Sequence, residues 1–434
     1  MQLIALDPGH FHASLVQQQM YPDIDSVIQV YAPEGPEVEQ YLQRLAAYNK
    51  QGSPEVHWIP NVYTGSDYLQ QLLLCAPGNI VILAGNNRLK PMYIRSGIGA
   101  GMHVLADKPM AIDAAGFASL QASFADAAAG KVQLFDIMTE RYEIHNVLQR
   151  ELARMPSLFG TLQPGTASEP AVIKKSVHHF KKMVAGEALV RPGWYMDVQQ
   201  QGEGITDVTT HLVDLVQWTC FPGQVLDYKK DIHIDAATTW PTAMSRAQYR
   251  DITGGAPLTA ALAATAGDDG LLEIYANGSF DYTIRGVHAR ITVQWDYEAA
   301  AGAGDTHYSR IQGSKAALLI RQDKEQGYLP VLYISPVSPD AAYMEQLSNG
   351  VAALAQRYPG IALKAAGRDW EVVIPREYLN THESLFAAVM QQFLVYVRAG
   401  QMPAWEVPGM IAKYYTTTHA LSVAKKLEYD SRKI

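Results

Sequence analysis

The chain has 434 residues, with 35 Lys and Arg against 43 Asp and Glu, so its formal charge is -8. That length favours two domains, and the acidic balance excludes the basic surface that nucleic-acid binding requires. Two cysteines are too few for a disulfide framework, and no apolar run approaches the roughly 20 residues of a membrane span, so we expect a cytoplasmic protein that acts on a small molecule.

The first part of the chain alternates strand and helix signals. Short apolar runs at residues 3–7, 26–32 and 80–85 predict buried strands, and segments such as HASLVQQQM and EGPEVEQYLQRLAAYN predict helices between them. This alternation predicts βαβ units and a doubly wound parallel sheet of the Rossmann type over residues 1–140.

Beyond residue 140 the pattern changes to a period of two. In GVHARITVQWDYE the apolar side chains fall on one face and the polar ones on the other. This alternation predicts a large, open, mostly antiparallel sheet in an α+β domain over residues 141–434. We interpret TAALAATA, GLLEIYA and KAALLIRQ as further strands and residues 230–255 as an irregular surface excursion, and we expect the helices from about residue 382 to pack back towards the first domain.

One lysine stands at a position that suits chemistry. Lys108 and Pro109 follow the strand in GMHVLADKP, and ligands of open α/β sheets bind beyond the carboxyl ends of the strands. A lysine there can hydrogen-bond a substrate hydroxyl and stabilise negative charge on its oxygen. The alternative is a solvated loop lysine.

A second constellation lies in GEGITDVTTHLVDLVQW. A helix is predicted from Ile205, and it places Asp207, His211 and Asp214 in one ionisable stripe. Asp207 next to His211 would fix the imidazole tautomer, and an imidazole suits proton removal from an alcohol. The alternative is a surface ion pair.

Together these motifs resemble the Gfo/Idh/MocA oxidoreductases. Their Glu-Lys-Pro motif appears as DKP, their glycine turn with Asp-x-x-x-His-x-x-Asp as GEGITDVTTHLVD, their Gly-Trp region as RPGWYMD, and their strand-turn-strand as IQGSKAALLI. The resemblance implies that Lys108 polarises the substrate hydroxyl, that His211 acts as general base or acid, and that Asp207 orients His211 or binds another hydroxyl. It also implies hydride transfer with NAD, or NADP as the second option.

The turn after the first strand departs from the family. DPGHFH has Asp7, Gly9 and His12 in the three glycine places. Gly9 is the glycine that lets backbone amides approach a pyrophosphate, so Gly9, His10, Phe11 and His12 are the predicted cofactor loop. The alternative for either histidine is a structural hydrogen-bonded side chain.

The remaining predicted contacts follow from the same comparison. Glu34 is the nearest acid for the ribose, Asn86 and Asn87 match the family's Pro-Asn place, and Lys108 with Pro109 is expected to reach the cofactor. The expected substrate contacts are His179, Arg191, Trp194, Tyr195 and Asp207. No metal is expected, although a site formed by one of the adjacent histidines in KKSVHHFKKMV together with His211 is conceivable.

Three functions remain open. The first is an NAD(P)-dependent oxidoreductase acting on a secondary hydroxyl of a sugar, cyclitol or glycoside. The second is a redox-neutral, NAD-dependent glycoside-cleaving enzyme that oxidises, eliminates, hydrates and reduces, which the additional histidines His10, His12, His178 and His179 motivate. The third is a non-enzymatic, dinucleotide-bound regulatory protein. The broad sheet favours a homodimer or homotetramer.

Overall fold

The structure, a computed structural model, describes residues 1–51, 55–75, 77–184 and 187–431. The N-terminal strands are β1 (Leu3–Leu6), β2 (Val27–Tyr31), β3 (Ile59–Tyr63), β4 (Ile80–Leu83), β5 (His103–Asp107) and β6 (Leu134–Ile137). Over the described residues they form one parallel sheet in the order β3-β2-β1-β4-β5-β6. The central strands β1 and β4 are buried along their whole length, as strands of a covered parallel sheet are. The predicted Rossmann sheet is confirmed.

The helices of this part are α1 (His12–Leu15), α2 (Pro36–Asn49), α3 (Tyr68–Leu72), α4 (Lys90–Gly99) and α5 (Ala114–Gly130), and the next helix, α6 (Ile144–Ala153), packs in the core of the second part. The helix predicted for HASLVQQQM is corrected, because α1 is a single turn and the chain then continues in turns to β2. The strand order reverses between β1 and β4, so their carboxyl ends open the crevice in which such sheets bind ligands.

The second part contains the strands β7 (Val172–His179), β8 (Met183–Val184), β9 (Glu187–Ala188), β10 (Ile232–Met244), β11 (Leu272–Ile284), β12 (Val287–Asp296), β13 (Thr306–Gln312), β14 (Ala316–Gln322), β15 (Val331–Pro336), β16 (Ala362–Ala366) and β17 (Asp369–Val373). In the part of the chain that is described, the large sheet has the order β10-β11-β12-β7-β13-β14-β15-β17-β16. Strands β7 and β12 pair in parallel, and the other pairs are antiparallel. The predicted mostly antiparallel sheet is confirmed, and β12 alternates buried and half-buried residues as predicted.

The remaining helices are α7 (Val198–Gln201), α8 (Thr209–Cys220), α9 (Tyr228–Asp231), α10 (Arg246–Thr253), α11 (Ala260–Ala263), α12 (Ala341–Arg357), α13 (His382–Ala399) and α14 (Glu406–Ser431). Helix α8 packs on β7 and β12 of the large sheet. Helix α13 packs on the first sheet, where the ring of Phe393 stacks on Phe135 of β6 with centroids 6.1 Å apart.

Two predicted elements are wrong. TAALAATA is not a strand: Thr259 caps the short helix α11 by accepting a hydrogen bond from the amide of Leu262, and alanine favours the helix. The expected irregular excursion at residues 230–255 contains β10 and α10. Strand β10 lies at the edge of the sheet and shifts register between Trp240 and Thr242, so the edge accommodates Pro241.

Candidate active site

Lys108 lies at the carboxyl end of β5, where the crevice opens. Its Nζ donates a hydrogen bond to Oδ1 of Asp207 at 2.5 Å, and both side chains are largely buried. Burial by itself lowers the pKa of the Lys108 ammonium, but the negative charge of Asp207 outweighs it and holds that pKa above its usual value. The structure therefore brings together two of the three predicted catalytic residues as a charged pair.

His211 does not pair with Asp207, and of the two residues His211 alone lines the large cavity described below. Helix α8 begins only at Thr209, so Asp207 sits in the preceding turn, where its Oδ2 accepts a hydrogen bond from Gln201 at 3.1 Å. Nδ1 of His211 is buried, and no group of the described residues hydrogen-bonds to it. Burial, followed by the positive charge of Lys108, holds the pKa of His211 well below its usual value. His211 is therefore a neutral imidazole, which can accept a proton.

Asp214 does not share this site. Its carboxylate accepts two hydrogen bonds from the guanidinium of Arg141 at 2.7 Å and one from Lys413 at 2.8 Å, in a buried network that Glu406 completes. The predicted ionisable stripe is thus split, because the backbone is not helical before Thr209 and the two carboxylates face different neighbours. Asp214 anchors α8 to α14.

A cavity of about 650 Å³ lies between the two sheets, beyond the end of β5. Predicted site residues that line it are His10, Phe11, His12, Asn87, Lys108, Arg191, Trp194, Tyr195 and His211. His179 does not: its Nδ1 contacts Oδ1 of Asp305 at 2.9 Å, while the adjacent His178 lines the cavity instead.

The turn after β1 has two faces. Asp7, Pro8 and Gly9 line a smaller cavity of about 170 Å³, whereas His10 and His12 line the large one. Asp7 has a φ of 47°, a backbone conformation that favours the glycine usual at this place. Its carboxylate accepts a hydrogen bond from Tyr93 at 2.9 Å.

The two departures from the family motifs contact each other. His12, in the third glycine place, has its Nδ1 at 2.9 Å from Oδ2 of Asp107, the residue that replaces the glutamate before Lys108. Burial by itself raises the pKa of Asp107, but the charge and hydrogen bond of His12 hold it well below its usual range. His10 stacks on Tyr195 at 6.1 Å, and burial holds the pKa of His10 well below its usual value.

The smaller cavity contains a different acid from the predicted one. Glu37, at the start of α2, lines it together with Asn86, while Glu34 is exposed and does not. Trp194 reaches both cavities, and its ring lies 3.4 Å from where a Cβ on Gly9 would stand. Trp194 therefore forms the wall between them.

Lys90 is buried and lines neither cavity. Its Nζ donates to Oδ1 of Asn87 at 2.6 Å and to the carbonyl oxygen of Asp107 at 2.8 Å. Burial lowers the pKa of Lys90 to about 8. Lys90 fixes the positions of Asn87 and of the end of β5, from which Pro109 continues the chain after a cis peptide bond.

Sequence reasoning missed several residues that line these cavities, among them the ionisable Glu37, Glu140, Asp305 and His382. Burial and the neighbouring Glu143 raise the pKa of Glu140 to about 7. Glu140 follows β6, so its place at the carboxyl end of a parallel strand was a usable signal. Asp305 directly precedes β13 and His382 begins α13, so neither follows a strand of the parallel sheet and neither carried a signal of this kind.

The chain is similar to known proteins in both sequence and structure. Residues 148–425 match the family model described as "Putative oxidoreductase C terminal domain". The structure of a "putative oxidoreductase" from Parabacteroides merdae is 46% identical, covers 98% of this chain and 97% of its own, and has a TM-score of 0.95. A comparison with curated proteins gave no match.

Two more distant structures share the fold. Levoglucosan dehydrogenase, in complex with NADH and levoglucosan, is 12% identical with a TM-score of 0.62, covering 98% of this chain and 97% of its own. A 3-ketoreductase from Actinomadura kijaniata, in complex with NADP and TDP-benzene, is 13% identical with a TM-score of 0.58 and the same coverage.

The fold and the matched family thus define an oxidoreductase of the Gfo/Idh/MocA type. The chain belongs to the family whose C-terminal domain model covers residues 148–425, and the resemblance in its motifs is confirmed. In the described ranges, no helix is both long enough and apolar enough to cross a membrane.

Proposed function

We propose that the protein is an NAD(P)-dependent oxidoreductase that transfers hydride at a secondary hydroxyl carbon of a sugar, cyclitol or glycoside. The observation that carries the proposal is the ion pair of Lys108 Nζ and Asp207 Oδ1, 2.5 Å apart, because Lys108 lines the large cavity together with His211. The complexes of the two distant relatives, one with NADP and one with NADH and a sugar, support this assignment.

The residues of the N-terminal part fit a dinucleotide. Gly9 and Gly85 keep the turn after β1 open and close to the end of β4, since a Cβ on Gly85 would lie 2.2 Å from the carbonyl oxygen of Asp7. Asp7 directs its carboxylate to Tyr93. Glu37 in the smaller cavity would accept hydrogen bonds from a ribose and disfavour a 2'-phosphate, so we propose NAD rather than NADP.

The cofactor, when bound, supplies the hydride acceptor or donor, and the protein supplies the rest. The ammonium of Lys108 donates a hydrogen bond to the substrate oxygen and stabilises its developing negative charge. Asp207 holds that ammonium in place and keeps it charged. The neutral imidazole of His211 accepts the hydroxyl proton during oxidation and returns it during reduction.

The experiment combines a substrate panel with matched variants. Nicotinamide absorbance is followed with sugars, cyclitols and glycosides, and the denatured supernatant of gently purified protein is searched for NAD and NADP by mass spectrometry. Lys108→Ala and His211→Ala should each lose at least about 100-fold in kcat/KM, and His233→Ala, an exposed control, should not. Absence of cofactor binding and of turnover would contradict the proposal. Cofactor binding without turnover would favour the regulatory alternative.

A second function is favoured by Glu140. With a pKa raised to about 7, this carboxyl supplies the large cavity with an acid or base additional to His211. Redox-neutral glycoside cleavage needs such a group: a carbon is oxidised, the adjacent proton and the aglycone leave, water adds, and the hydride returns. The parent protein should cleave a glycoside without net formation of NADH. Loss of this cleavage in Glu140→Gln, with hydride transfer retained, would support the second function.

We also propose that the large sheet mediates a homodimer or homotetramer. Residues on the outward-facing side of β12 are only half-buried, and a partner would cover them. Light scattering should give a multiple of the chain mass of 47.8 kDa, and a single chain mass would refute the proposal.

A further inference from the structure

Two histidines of the turn after β1 and the carboxylate that ends β5 form a compact cluster, here named the His-Asp site. Oδ2 of Asp107 lies 2.9 Å from Nδ1 of His12 and 3.7 Å from Nδ1 of His10. One ligand atom from each of the three residues lies within 4.8 Å of the other two. We propose that the His-Asp site binds one divalent transition-metal ion, such as Zn²⁺ or Co²⁺, on the wall of the large cavity.

The donor set suits such an ion. Two imidazole nitrogens and one carboxylate oxygen are ligands that zinc, cobalt, manganese and ferrous iron share. With metal-ligand bonds of about 2.1 Å, tetrahedral ligand atoms lie roughly 3.4 Å apart. The observed distances of 2.9 and 3.7 Å bracket this separation, so small side-chain rotations would admit the ion.

Surrounding contacts hold the ligands in place. Oδ1 of Asp107 accepts a hydrogen bond from the amide of Lys108 at 2.9 Å, which leaves Oδ2 directed at the histidines. The amide of His10 donates to the carbonyl oxygen of Ala84 at 2.9 Å and fixes the turn against β4. Supporting hydrogen bonds of this kind orient metal ligands in known sites.

Nearby cations already have other partners. The ammonium of Lys108 pairs with Asp207, and that of Lys90 donates to Asn87 and to a backbone carbonyl. In the part of the chain that the structure describes, neither ammonium donates to the side chain of Asp107, and the side-chain contacts of its Oδ2 are with the two imidazoles. The alternative is that a proton joins His12 and Asp107 in an ordinary hydrogen bond, and in that case no ion binds.

Three protein ligands leave coordination positions open towards the cavity that His10 and His12 line. Catalytic zinc sites have this arrangement, in which water or a substrate oxygen completes the shell. A hydroxyl or carbonyl oxygen of a polyhydroxylated ligand is the chemistry that would fill it. The inference goes beyond hydride transfer and does not depend on it.

The test measures the ion rather than turnover, so its failure is distinguishable from failure of the proposed function. Protein purified without chelator is analysed by elemental mass spectrometry, and chelator-treated protein is titrated with Zn²⁺ and, for its visible absorption, with Co²⁺. We expect about one ion per chain and a Co²⁺ spectrum with nitrogen and oxygen ligands. His12→Ala and His10→Ala should each weaken Zn²⁺ binding by more than about 100-fold, whereas His233→Ala, a control with an exposed imidazole, should bind as the parent does.

Two results would overturn the inference. One is a parent protein that binds no ion at micromolar Zn²⁺, and the other is unchanged binding in both histidine variants, since the ion would then lie elsewhere. Circular dichroism identifies a variant that fails to fold. If both variants fail to fold, His10→Gln and His12→Gln, which keep a polar side chain of similar size, are titrated in their place, and unchanged Zn²⁺ binding in both overturns the inference.

Discussion

Lys108→Met tests whether the pair of Lys108 and Asp207 is a buried charged contact, as the structure has it. The substitution retains an unbranched apolar side chain but removes the ammonium that lies 2.5 Å from the carboxylate. Asp207 keeps only the hydrogen bond from Gln201 as a side-chain contact. An uncompensated buried charge costs about 3–5 kcal/mol, and the remaining hydrogen bond favours the lower end, so we expect a loss of about 3 kcal/mol in the free energy of unfolding.

The measurement is a double-mutant cycle. Urea unfolding, followed by tryptophan fluorescence, compares the parent with Lys108→Met, Asp207→Asn and the double variant. Because each single variant strands one charge and the double variant strands none, the coupling free energy should be about 3 kcal/mol.

An exposed pair supplies the matched control. Arg357 and Glu151 lie 2.7 Å apart, but the Arg357 side chain is 61% exposed. Its cycle, made with Arg357→Met and Glu151→Gln, should give a coupling below about 1 kcal/mol. Equal coupling in the two cycles would refute the reasoning, because burial would then not be what makes the Lys108 contact strong.

Three further outcomes are expected. Asp214→Asn should lower the free energy of unfolding by about 3 kcal/mol, because it breaks a buried charged network; urea unfolding with an unchanged midpoint would contradict this. Gly85→Ala should destabilise by at least about 2 kcal/mol, because its Cβ would collide with backbone, whereas Gly99→Ala should be neutral or stabilising; differential scanning calorimetry compares them. In an NMR titration, His211 should stay neutral below pH 6.5, so its contribution to stability is present above that pH and lost as pH falls towards the lowered pKa. Lys108→Met should raise the pKa of His211, because it removes a neighbouring positive charge. An ordinary histidine pKa in both proteins would contradict the burial of His211 beside Lys108.

Local patterns were sufficient where one element carries its own signal. The apolar runs of β1 and β4 and the alternation of β12 predicted both sheets, because the spacing of apolar residues along a strand shows which of its faces are buried. Local patterns failed for TAALAATA, which forms the helix α11 because the side chain of Thr259 caps it. They also failed for β10, because an edge strand tolerates a proline such as Pro241. The edge position of β10 is visible only from the order of the strands in the folded sheet, in which β10 stands at one end, next to β11.

The sequence by itself determined the class of the site: Lys108 at the end of a buried strand, Asp207 and His211 on a shared segment, and a degenerate turn around Gly9. Tertiary structure alone decided which of these residues meet. In the folded protein Asp207 pairs with Lys108 rather than with His211, and His12 contacts Asp107. These contacts join residues about a hundred positions apart. The His12–Asp107 contact depends on the strand order within the first sheet and the Lys108–Asp207 contact on how the two parts pack, and no local residue spacing records either.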